Sequence, residues 1–222
     1  MDIRALECAI KKGDITAVKR LLRDGVYNDQ VYGSALHMAC TENSPEIVKF
    51  LLERGANFRI HDDLPLCLMS RHGHLDVVMF LVEHGANVCT MDNKPIILAS
   101  EGNHPKLIKY LVEKGADVRT KMSYALHKMV EVGNLDMVKF LLKRGAQVHP
   151  WDLIRSCSNG ELEMAKILLE NGELLGENLY ATDTKKEKLN NYILFCKRME
   201  EKRRIWAANK IRNCLLRRIS QS

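Results

Sequence analysis

A glycine closes a leucine-rich stretch six times along this chain, at Gly25, Gly55, Gly85, Gly115, Gly145 and Gly172, with intervals of 30, 30, 30, 30 and 27 residues. A fixed period of this length is the mark of stacked repeats. Twelve positions before each closing glycine stands a second small or turn-forming residue: Gly13, Asn43, Gly73, Asn103, Gly133 and Gly160. Between the two turns runs one apolar pattern. Ala17-Val18, Ile47-Val48, Val77-Val78, Leu107-Ile108, Met137-Val138 and Met164-Ala165 are followed four residues on by Leu21-Leu22, Leu51-Leu52, Leu81-Val82, Leu111-Val112, Leu141-Leu142 and Leu168-Leu169. A spacing of four keeps these pairs on one helical face. Each repeat therefore reads as two short helices and a turn, unable to bury its apolar face until the repeats stack. Ser44-Pro45-Glu46 and His104-Pro105 open two of the second helices, with proline at the first helical position, where its missing N–H costs nothing.

Gly-Ala-Asn or Gly-Ala-Asp at 55, 85 and 115, Ala-Leu-His at 35 to 37 and 125 to 127, and Leu-Pro-Leu at 64 to 66 resemble the ankyrin repeat. The resemblance implies an all-α solenoid of six helix-turn-helix repeats over residues 1–172; the residues beyond it do not repeat and read as a C-terminal cap over 173–200 and a basic amphipathic helical tail over 201–222. These repeats are shorter than the common 33 residues, and this register resembles ankyrin arrays of large DNA viruses. The family's structural histidine is kept as His37 and His127; Glu7, Cys67, Ile97 and Ile154 replace it elsewhere, so those turns are expected to be tied less tightly.

Apolar stretches stay far below the ~20 residues a membrane span needs, and Met1-Asp2-Ile3-Arg4 does not read as a signal peptide. An intracellular protein, cytoplasmic or nuclear, is expected. Seven cysteines with no C-x-x-C pair argue against a disulfide framework or zinc knuckle, and Cys8, Cys40 and Cys157 are expected to pack as small apolar residues. His72-Gly73-His74 lacks companions at metal-ligand spacing. No phosphate loop, nucleophile elbow or zincin motif is present in the sequence. The expectation is a non-enzymatic, monomeric adaptor with no catalytic residues, cofactor or metal.

In such arrays a protein partner meets the finger tips and the exposed ends of the first helices. Carried onto this chain, those positions are Lys11, Tyr27, Thr41, Glu42, Phe58, Arg59, Arg71, His72, Met91, Glu101, Arg119 and Glu131. Phe58 is read either as an anchor for the partner or as a plug under its neighbouring finger. In repeat six the finger is three residues short, leaving Val148-His149-Pro150-Trp151. Pro150 should start the next helix at once, with Trp151 either plugging the shortened turn, the favoured reading, or projecting into the groove. Lys128 and Arg155 stand where leucine is usual.

The tail is a different material. Residues 185–222 carry a net charge of +9 against +6 for the whole chain, so the preceding residues are net acidic. Leu189, Tyr192, Ile193, Cys196 and Met199 share a helical face suited to capping repeat six. Beyond them a basic amphipathic stretch carries Arg203, Arg204, Trp206, Ile211 and Leu215. Its Ala207-Ala208-Asn209-Lys210-Ile211-Arg212 resembles a degenerate IQ motif, which implies a calmodulin-like partner; a solvated surface helix and an import signal are the other readings. Nucleic acid and membrane are disfavoured, nucleic acid because one aromatic among these charges makes a poor stacking platform. The rival function is therefore a working basic tail on a rigid repeat spacer.

Overall fold

A computed structural model describes residues 3–23, 29–59, 63–171 and 194. The expected cap at 173–200 lies outside the described residues apart from Leu194, which is exposed, and the tail at 201–222 lies wholly outside them. The described elements are helices throughout. First helices are α1 (Ile3–Lys11), α3 (Asp29–Thr41), α5 (Leu64–His72), α7 (Thr90–Glu101), α9 (Thr120–Glu131) and α11 (Pro150–Ser158). Second helices are α2 (Ile15–Leu21), α4 (Pro45–Glu53), α6 (Leu75–Glu83), α8 (Pro105–Glu113), α10 (Leu135–Lys143) and α12 (Leu162–Asn171). The chain divides between Thr120 and Lys121 into two compact bodies.

Both turns of a repeat end a helix by the same device. At the outer turn Gly55 N–H donates to the Leu52 carbonyl and Ala56 N–H to that of Leu51, and the same pair of bonds recurs at Gly85-Ala86, Gly115-Ala116 and Gly145-Ala146. This is a Schellman ending, which needs a left-handed residue at the glycine position; φ is +84° at Gly55 and +91° at Gly85. The alanines that follow are buried, which explains why the motif is Gly-Ala. At the inner turn Gly13, Asn43, Gly73, Asn103, Gly133 and Gly160 are all left-handed, and the two that are not glycine are asparagine, the side chain that best tolerates this conformation. Gly25 and Gly172 lie outside the described residues.

In the N-terminal body first helices pack on first helices (α1 on α3, α3 on α5, α5 on α7), and α2, α4 and α6 form the adjoining layer. The core between them is the expected one: Val18, Leu22, Ile47, Val48, Leu51, Val77, Val78, Leu81, Leu107, Ile108 and Leu111 are all buried. In the C-terminal body α12 packs on α10 and α11, over Met137, Val138, Leu141, Met164, Ala165 and Leu168. Pro150 starts α11 as expected.

Two expectations fail. Trp151 does not plug the shortened finger: it is 63% exposed, because Asp152 takes the buried place instead. Cys8 is exposed, whereas Cys40 and Cys67 are buried and their thiols are pushed up to about 12 and about 11 by desolvation. Cys157's side chain lies outside the described residues.

Candidate interaction surface

The finger that joins one repeat to the next is held by two short hydrogen bonds. Asn57, Asn87 and Asp117 each accept, through the side-chain oxygen, the N–H two residues on, at 3.0, 3.0 and 2.9 Å. Such Asx turns are a local property of Asn and Asp. The second bond spans the repeat. Asp63 accepts from Asn87 N–H at 3.0 Å, Asn93 from Asp117 N–H at 2.9 Å and Ser123 from Gln147 N–H at 2.8 Å. The fingers after repeats three and four are thus tied without the family's histidine, by the left-handed residue from which the regular turns of the first helix begin. Loss of that histidine at Cys67 and Ile97 therefore does not leave these fingers without an anchor.

Beside these anchors the backbone is forced into an unfavourable shape. Met91, Asp92 and Asn93 have φ of 47°, 59° and 57°, and Lys121, Met122 and Ser123 repeat the pattern at 47°, 57° and 60°. Three successive left-handed residues with side chains cost about 1–2 kcal/mol each. The tips they build are apolar and exposed: Met91 is 43% and Met122 78% accessible. Met122 escaped the sequence reading, which took Met91 and Arg119 from these two fingers.

The structure places the remaining expected contact residues unevenly. Lys11, Glu42, Arg59, Arg71, Glu101 and Arg119 are exposed. Thr41 is exposed, with its hydroxyl donating to the His37 carbonyl at 2.9 Å. Phe58 is half-buried beneath Arg59, whose guanidinium lies 5.9 Å from the ring centroid and donates to Gly85 O at 3.1 Å. Tyr27 lies outside the described residues, as do Arg203, Arg204, Trp206, Ile211 and Leu215.

His72 sits in a basic cluster. Its ring is 6.3 Å from that of His74, and burial, reinforced by His74, Arg71 and His104, pulls its pKa below the usual histidine value. His74 Nε2 pairs with Asn43 Oδ1 at 2.5 Å, and His104 Nε2 donates to Arg71 O at 3.0 Å, so the inner turns of repeats three and four are each stapled to the one before. In the C-terminal body Glu131 takes Lys128 Nζ at 2.7 Å and lies 3.7 Å from Arg155. The hydrogen bond from Lys128 holds the Glu131 carboxyl below the usual range, against the opposing effect of burial. The two polar replacements of leucine therefore share one acid.

A second regularity was present in the sequence but passed over. Phe50, Phe80, Tyr110 and Phe140 hold one position in α4, α6, α8 and α10, and four residues later stand Arg54, His84, Lys114 and Arg144. Arg54, Lys114 and Arg144 lie 5.1, 5.6 and 5.2 Å from their ring centroids, and His84 stacks on Phe80 at 4.0 Å. Among the described residues no group of histidine, cysteine or carboxylate side chains is placed to hold a metal, and no helix is long and apolar enough to cross a membrane.

The family model for ankyrin repeats (3 copies) matches residues 2–62 and 57–122, and the model for the single ankyrin repeat matches residues 123–152. No curated protein matches the chain.

Proposed function

The chain belongs to the ankyrin repeat family, whose repeats are in general protein–protein interaction modules, and we propose that it is a non-enzymatic adaptor gripping a protein partner at its finger tips and first-helix ends. The observation that carries this reading is the paired strain at 91–93 and 121–123. Glycine would relieve it; instead both turns keep side chains and direct a methionine outward. Strained backbone held in place by neighbouring bonds is concentrated where structures meet ligands, and exposed large side chains supply much of the energy of protein interfaces. Methionine suits such a contact, being apolar and adaptable.

The test is quantitative co-purification from the native cell with full-length chain carrying Met91→Ser and Met122→Ser. Recovery of the partner should fall by about tenfold. Undiminished recovery, with loss on removing residues 201–222, supports the working-tail reading instead, whose own support is the +9 charge concentrated after residue 184.

A further inference from the structure

The outer face of the second helices carries an array that neither the repeat core nor the finger tips use. Phe50, Phe80 and Tyr110 are half-buried on α4, α6 and α8, each under a cation or imidazole from its own helix end. Lys19 of α2 also reaches the Phe50 ring, at 5.6 Å. A positive group at a helix C-terminus complements the helix dipole, and that alone explains a cation in the last turn. It does not explain why these cations stay out of ion pairs. Glu53, Glu83 and Glu113 immediately precede Arg54, His84 and Lys114, yet among the described residues no carboxylate pairs with Lys19, Arg54 or Lys114. Consecutive helical residues point about 100° apart, so none of these glutamates pairs with the residue that follows it. The cations lie over aromatic faces, a contact that leaves donors available for an anion.

We propose that this face is a second docking surface, taking an acidic peptide segment in extended conformation. The spacing fits that occupant. Second helices α2, α4 and α6 pack one on the next, at about 8–10 Å between axes, and an extended chain rises about 3.3 Å per residue, so a carboxylate at every third residue meets successive rungs. Between the ends of α4 and α6 lies an open groove of about 770 Å³ lined by Leu52, Glu53, Phe58, Arg59, Phe80 and His84, whose apolar part admits an apolar side chain between two acids. Arg59 is fixed over that groove by its bond to Gly85 O. This inference stands apart from the finger-tip reading, since it uses different residues on the other helix of each repeat.

The probe is a fluorescein-labelled peptide of six Asp-Ser-Gly triplets carrying a photo-crosslinker, with binding to the full chain followed by anisotropy. Lys19→Gln, Arg54→Gln and Lys114→Gln together should weaken binding by about tenfold. The charge-matched control Lys11→Gln, Lys12→Gln and Arg71→Gln, on first-helix ends, should leave it unchanged, as should Met91→Ser with Met122→Ser. Crosslinks should fall on α2, α4 and α8. Equal binding by the outer-face triple variant overturns the proposal, as do an equal loss in the control or crosslinks confined to residues 185–222.

Discussion

His127 Nδ1 lies 2.8 Å from Asp152 Oδ1, whose carboxylate is 1% exposed and also accepts the His149 N–H at 2.9 Å. One buried acid thereby joins α9 to α11 and closes the finger that is three residues short. Removing it leaves the His149 N–H and the half-exposed His127 ring without their acceptor, a loss of about 0.5–1.5 kcal/mol for each hydrogen bond. Asp152→Ala should lower the urea midpoint strongly, and His127→Gln, which can still donate, should lower it less.

His104 covers Gly73. A Cβ at Gly73 would run into that ring, whereas one at Gly55 meets nothing within 4 Å. Both glycines are left-handed, so alanine should cost about 1–2 kcal/mol at either site, with a further penalty at Gly73. A double-mutant cycle by urea denaturation should assign that extra penalty to His104: Gly73→Ala costs less in a His104→Ala background.

How much of this was legible in the chain depends on the range of each interaction. Left-handed turns and buried leucine pairs are local, and Gly13, Asn43 and Gly73 announced them. The Asp152 lock was not legible, because it depends on how a shortened finger brings His127 to a residue 25 positions away; with Asp152 inward, Trp151 is left outside. Phe50, Phe80 and Tyr110 were legible as a period of 30, but attention to the leucine pairs next to them hid the aromatic position. Met122 was missed because it sits one place beyond the equivalent of Met91 in the turn.

The methionine tips should trade stability for contact. Met122→Gly removes a side chain from a left-handed position and should stabilise the fold by roughly 1 kcal/mol, while weakening partner recovery. Thermal melts and co-purification on the same variant check both halves.

Protonation of His72 is opposed in the folded state, so the unfolded chain binds that proton more readily. Its folded pKa lies below the ordinary value of 6.5, so stability is full above 6.5 and declines as pH falls below it, levelling off once pH drops under the folded pKa. Urea midpoints at pH 7.5 and 5.5 should show this fall, reduced in His72→Gln.

Thiol reactivity should follow burial. Alkylation at pH 8 should label Cys8 and Cys89 first and spare Cys40 and Cys67, whose thiolates are suppressed by desolvation; mass spectrometry of the native protein reads the order.

The most direct check of the adaptor reading is methionine oxidation footprinting of the chain while bound to its captured partner. Met91 and Met122 should be protected relative to the free chain, whereas Met79, exposed on the outer helix α6, should oxidise as before. Unprotected Met91 and Met122 in a stoichiometric complex would contradict the account.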